Sequence, residues 1–148
     1  MTPLKIKIGT AAAAIATGGG FALALPSSPA VAYSSPPLFL DISIQSPAHL
    51  VARGSAVSVP VVITCNSFDT YIDLRVTEKV GNKVATGYDN NIPVSCNGGH
   101  QTLLVTVPAS SGVAFAKGTA YAVADISGCA GNYVCGQETG SATIQIAK

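Results

Sequence analysis

The chain has 148 residues, with eight Lys and Arg against seven Asp and Glu and a formal charge of +1. Its basic residues form no stripe, which excludes the electrostatic footprint of a nucleic-acid or anionic-lipid binder. A chain of this length is expected to hold one domain.

The first 32 residues read as a cleavable secretory signal peptide. Lys5 and Lys7 give a positive start, and Ile8 to Leu25 is apolar and uncharged, with a Gly18-Gly19-Gly20 break. Pro26, Ser27, Ser28 and Pro29 stop a helix, and Ala30-Val31-Ala32 is a small-x-small cleavage site. Cleavage after Ala32 would start the mature chain at Tyr33. The alternative is an uncleaved anchor, which needs about 20 apolar residues. Glycine is a poor helix former and alanine only weakly apolar, so cleavage is the stronger reading. No Arg-Arg pair stands near the start and no Cys follows the cleavage site, so twin-arginine export and lipid anchoring are not expected. The expected product is a soluble domain over residues 33–148, outside the cell and free of the membrane. Loss of Lys5 and Lys7 leaves six basic and seven acidic residues, a net charge of −1.

The mature part is dominated by alternation of apolar and polar residues, the mark of half-buried strands. Leu38, Leu40, Ile42 and Ile44 share one face of a first strand, bracketed by Pro36, Pro37 and Pro47. Val57, Val59, Val61, Ile63 and Cys65 share a face of the second. Pro60 lies within it and cannot donate to a ladder, so it marks an edge, a bulge or a change of sheet. In the third strand Ile72, Leu74 and Val76 point inward, with Asp73, Arg75 and Thr77 outward. Gly81-Asn82 turns the chain into a short strand over about 83–88, and Asp89-Asn90-Asn91 reads as another turn. Ile92, Val94 and Cys96 then share a face. Asn97-Gly98-Gly99 is hairpin chemistry, and Leu103, Val105 and Val107 point inward after it. From Thr119 to Ser127 the alanine face (Ala120, Ala122, Ala124, Ile126) is the inward one, because Asp125 on the other face is costly to bury unpaired. Small residues there admit a large neighbour. Ala142, Ile144 and Ile146 face inward in the last strand.

Four cysteines, Cys65, Cys96, Cys129 and Cys135, allow three pairings. An even count in an exported chain reads as disulfides. Cys65–Cys96 with Cys129–Cys135 is preferred, because parity puts the first pair on core faces. The spacing of Cys129 and Cys135 lacks the pattern of a zinc knuckle, and no His sits nearby, so no metal is expected.

Seven or eight short strands without helical periodicity predict an all-β fold, an immunoglobulin-like two-sheet sandwich, with a Greek-key barrel as the alternative. The chain has no Trp, and its Cys65–Cys96 bridge is placed differently from that of an antibody domain. Ile63-Thr64-Cys65 ending an early strand, Val94-Ser95-Cys96 before a Leu/Val strand, and Phe115-Ala116-Lys117-Gly118 before an Ala/Val strand carry a resemblance. Over most of residues 38–146 the chain resembles small exported actinobacterial proteins with a single immunoglobulin-like domain. The resemblance implies fold and export; such proteins are largely of unassigned function.

Catalytic constellations are not legible. His49 and His100 are isolated and read as loop residues; a copper–zinc dismutase on the same scaffold needs a dense His cluster. No Gly-x-Ser-x-Gly occurs, and Glu78, Glu138 and five aspartates read as turn or outward positions rather than a paired-carboxylate cleft. Asp69, Asp73, Asp89, Asn90 and Asn91 lack calcium-loop spacing and have turn reasons to be where they are. The expectation is a non-enzyme without a cofactor. The candidate partner-binding residues are aromatic: Phe68 and Tyr71 at a strand start, and Tyr133 with Asn132 inside the Cys129–Cys135 loop. Tyr133 either anchors a partner or caps the end of the core. Three functions follow: a secreted binding or structural module for an extracellular protein or cell-surface component, a small-molecule carrier, and a secreted protease inhibitor. The carrier reading rests on an architectural likeness to the apoproteins of enediyne chromoproteins. A cleft of several hundred Å³ would favour the carrier, and a flat, filled surface the protein-binding module.

Overall fold

The computed structural model describes residues 36–148, so the signal peptide over 1–32 and its cleavage site (Ala30, Ala32, Tyr33) lie outside the described residues. The described chain is all-β. Its eight strands are β1 (Leu40–Ile44), β2 (Ala48–Val51), β3 (Ala56–Cys65), β4 (Phe68–Val80), β5 (Lys83–Val94), β6 (His100–Pro108), β7 (Gly118–Cys129) and β8 (Cys135–Ala147). No helix among these residues is long and apolar enough to cross a membrane.

Two runs of strands make up one open sheet. β3 takes β6 along one edge and β1 and β2 in succession along the other. The second run is β8-β7-β4-β5, antiparallel throughout. The runs are linked along the sheet by a short parallel pairing, Ala48 with Ile146 and His49 with Ala147. Their apolar faces share one core, which holds Ile42 and Ile44 of β1, Val57 to Ile63 of β3, Ile72 to Val76 of β4, the β7 alanines and Ile144 and Ile146 of β8.

Pro60 is not on an edge strand. β2 ends its pairing at Ser58, and β1 begins its own at Val61. Pro60 sits at this changeover, where its carbonyl accepts the Gln45 amide at 2.8 Å. A residue's N–H and C=O point to the same side of a strand, so the missing donor falls where two short strands succeed one another. The alanine face of β7 points inward as expected. Gly140 of β8 stands opposite Ala124, and a Cβ added there would lie 2.6 Å from the Ile42 carbonyl oxygen. The small residues therefore admit β1.

Several expectations need correction. The segment read as a turn at Asp89-Asn90-Asn91 is a bulge inside one long β5: Leu74 pairs with Asp89 and Ile72 with Ile92. Asn91 takes φ 54°, and its amide donates to Asp73 Oδ1 at 2.8 Å. Asn tolerates that conformation, so the same residue chemistry serves turn and bulge. His49 and His100 lie on β2 and β6 rather than in loops; His100 Nδ1 is 2.7 Å from the Thr64 hydroxyl. β2 itself, only four residues long, has no legible alternation.

Glu78 is not outward either. It continues the parity of Ile72, Leu74 and Val76 and is 3% exposed. Its Oε2 accepts the Ala116 amide at 2.9 Å, which ties the segment before β7 to β4. Glu78→Gln keeps an acceptor and is expected to leave stability nearly unchanged. Glu78→Leu strands that amide and should cost about 1–3 kcal/mol by chemical denaturation. Equal losses in the two variants would show that the hydrogen bond contributes nothing.

Candidate functional site

Both disulfides form at one end of the fold, and the candidate residues collect there. Cys65 at the end of β3 is fully buried and joins half-buried Cys96, with Cα atoms 5.1 Å apart. Cys129 and Cys135 close the β7–β8 hairpin as a directly opposed pair, Cα atoms 3.9 Å apart. Cys129 is flanked in the sheet by Phe68 on one side and Cys135 on the other. The aromatic strand start and the disulfide loop are thus neighbours.

At the start of β4 the register with β7 shifts between Phe68, opposite Cys129, and Tyr71, opposite Ser127. The extra residue is Asp69, held at φ 51°. Beyond this bulge, Thr70 turns inward and is buried, while Phe68, 52% exposed, and Tyr71, 42% exposed, face solvent. Buried Thr70 is satisfied locally. Its hydroxyl lies 2.7 Å from that of Ser67, and the two oxygens lie 3.2 and 3.4 Å from Cys96 Sγ. Gly128 makes room for them, since a Cβ there would approach the Ser67 and Thr70 hydroxyls to 2.6 and 2.9 Å.

Between Ser67–Tyr71 and Pro93–Cys96 lies an open cleft of about 370 Å³. It is lined on one side by aromatic Phe68 and Tyr71 and by polar Ser67, Asp69 and Thr70. Asn66 anchors the incoming chain beside it: its side chain accepts from the Phe39 amide at 2.7 Å and donates to the Pro37 carbonyl at 2.8 Å. Phe39 is exposed here too.

The disulfide loop holds a single 3-10 turn, Gly131–Tyr133, which includes Asn132. The Ala130 amide donates to the Val134 carbonyl at 2.7 Å and closes the loop from within. Tyr133, at φ 58°, is 92% exposed. It does not cap the core. Val134 beside it is also exposed.

A second depression, of about 130 Å³, was not legible beforehand. It lies on the outer face of β4, β5 and β7 and is lined by Asp73, Arg75, Tyr88, Val123 and Asp125. Asp73 stands directly opposite Asp125. Each carboxylate already serves the fold: Asp73 holds the Asn91 amide, and Asp125 Oδ1 accepts the Thr139 hydroxyl at 2.5 Å. The Arg75 guanidinium sits 5.4 Å from the Tyr88 ring centre, a cation–π contact. Among the described residues, no group of three or more His, Cys, Asp or Glu is placed to hold a metal ion. No protein-family model matches this chain, and no curated protein is significantly similar to it.

Proposed function

We propose that the chain is an exported, non-enzymatic binding module that captures an extracellular protein or cell-surface component through the end carrying both disulfides. The observation that carries this reading is the clustering of Phe68, Tyr71 and Tyr133, all exposed, on backbone fixed by a bulge and a disulfide-closed loop. Exposed aromatics on ordered backbone lose little entropy on binding. The scaffold is an immunoglobulin-like two-layer sandwich, as the resemblance to small exported actinobacterial domains implies. The single core shared by the two strand runs supports it, as does the brevity of the β2–β8 link between them. The signal-peptide pattern over residues 1–32 and the two disulfides support export.

The test is capture from the cell-surface and secreted fractions of the native cells. The triple variant Phe68→Ala, Tyr71→Ala, Tyr133→Ala should lose capture. Each change should alter stability by no more than about 0.5 kcal/mol, as exposed positions generally do. Failure of the unaltered chain to retain anything reproducibly would sink the reading.

One observation favours a carrier of small molecules as the second reading: the Phe68–Tyr71 cleft reaches the lower range of ligand sites, about 300–1,000 Å³. A fluorescent apolar probe separates the two. The carrier reading requires saturable binding that Phe68→Ala and Tyr71→Ala abolish and Tyr133→Ala leaves intact.

A further inference from the structure

Strand β6 leaves one edge open. It pairs with β3 from Pro108, opposite Ala56, to His100, opposite Thr64. Which of its residues turn away from β3 follows from Pro60. The Pro60 carbonyl points to Gln45 on the β1/β2 side, so Pro60 and its partner Leu104 exchange no hydrogen bonds. The Leu104 N–H and C=O therefore point outward, and by period 2 so do those of Thr102 and Thr106. Among the described residues no backbone group bonds to them.

Unprotected edges are a hazard that proteins usually blunt with charge, proline, a bulge or a cover. The β5 edge has such devices. The Thr86 carbonyl accepts the Ser110 amide at 2.7 Å and the Thr86 amide donates to Ser111 Oγ at 3.0 Å, and the Asp89–Asn91 bulge and Pro93 break the rest. From Gln101 to Val107 β6 has none: no charge, no proline, no bulge. Leu104 at its centre is 70% exposed, more than any other large hydrophobic residue of the described chain except Tyr133. A groove of about 360 Å³, with Ile92, Pro93, Leu103 and Val105 in its walls, runs beside the edge and leaves it accessible.

The segment is also nearly palindromic. Thr102-Leu103-Leu104-Val105-Thr106 reads threonine, aliphatic, leucine, aliphatic, threonine from either end. We propose that this edge pairs with the same edge of a second copy, antiparallel about a two-fold axis at Leu104. In that register Leu104 faces its counterpart, Thr102 faces Thr106, and Leu103 faces Val105. Outward-pointing residues meet outward-pointing residues, so every free N–H and C=O of Thr102, Leu104 and Thr106 gains a partner. The Thr–Thr pairs and the Leu–Leu contact are favourable cross-strand pairs. An isologous contact of this kind closes at the dimer instead of propagating into fibres. The axis stands perpendicular to the sheet, so the inner faces of both copies remain on one side. The disulfide-end aromatics take no part in the pairing.

The full chain, expressed with export and purified, should show a concentration-dependent monomer–dimer equilibrium by sedimentation. Leu104→Lys sets two like charges face to face at the axis and should raise the dissociation constant by about a hundredfold, with an unchanged monomer melting profile. Leu104→Cys is the second reading. Paired Cα atoms in a hydrogen-bonded antiparallel register lie about 5.5 Å apart, inside disulfide range. Mild oxidation should therefore yield a covalent dimer, whereas Val84→Cys, at an exposed position (52%) on the other edge, should stay monomeric. In hydrogen exchange the amides of Thr102, Leu104 and Thr106 should become protected as concentration rises. A chain that stays monomeric at all concentrations, a dimer that survives Leu104→Lys, or equal cross-linking of the two cysteine variants would each overturn the proposal.

Discussion

Replacing Cys65 and Cys96 together by alanine is expected to lower the unfolding free energy by about 3–4 kcal/mol, and replacing Cys129 and Cys135 by about 2. The difference comes from the unfolded chain. The first bridge spans a sequence separation of 31 and the second only 6, so the first removes more loop freedom from the denatured ensemble. A domain of this size is stable by about 5–15 kcal/mol in total, so the first loss is a large fraction of the whole. Local packing adds to it. Cys65 is fully buried, and the Ser67 and Thr70 hydroxyls rest on Cys96 Sγ. Urea titration should show the midpoint falling much further for the Cys65/Cys96 double variant. The functional order should be reversed: freeing the Cys129–Cys135 loop releases Tyr133, so capture should weaken while the core stays folded. Equal losses of stability in the two double variants would mean that loop length does not set the contribution of these bridges.

The strands that could be read from the sequence are those whose neighbours on both sides are regular. β3 alternates without interruption from Val57 to Cys65, and the five residues on that face are all fully buried. The direction of β7 followed from a cost: Asp125 on the other face keeps company with Thr139 at the surface. Reading failed where a partner distant in sequence decides the conformation. Asp89-Asn90-Asn91 has the composition of a turn, but Asp73, eighteen residues earlier, captures the Asn91 amide and holds the segment in the sheet. β2 forms because β3 and the end of β8 offer it edges, not because Ala48 to Val51 alternates. Glu78 was within reach of sequence reasoning, since it extends the parity of β4 by one step. Its acidic character argued for the surface, and the Ala116 amide that satisfies it is invisible in a single strand.

The candidate site was legible as residue types and not as a shape. Phe68, Tyr71 and Tyr133 stand out because aromatic residues beside turns are favoured interface anchors. That the first two share a cleft depends on the bulge at Asp69, on buried Ser67 and Thr70, and on the missing side chain at Gly128. None of these carries a periodic signal. The opposition of Asp73 and Asp125 depends in the same way on the β4–β7 register, which no local pattern encodes.

Gly54 offers the sharpest separation of backbone strain from collision. Ala52, Arg53 and Gly54 take positive φ in succession, and Gly54 reaches 90°. Its carbonyl accepts the Phe115 amide at 2.8 Å, and a Cβ on Gly54 would fall on the Phe115 carbonyl oxygen. Phe115 is itself buried beside Gly87, and the next residue is the one held by Glu78. The crossover from β6 to β7 is thus clamped on both sides and has little freedom to yield. Gly54→Ala should therefore cost the strain of a left-handed alanine, about 1–2 kcal/mol, plus about 1–3 kcal/mol for displacing packed backbone. Gly81→Ala is the control. Gly81 also has positive φ, 59°, but a Cβ there meets nothing within 4 Å, so only the strain remains. Thermal unfolding should put Gly54→Ala well below Gly81→Ala in melting temperature, by roughly 4–8 °C for each kcal/mol between them. If the two variants melt together, the Gly54–Phe115 approach relaxes at no cost, and the crossover is held by its other contacts, Glu78 with Ala116 and Thr86 with Ser110 and Ser111.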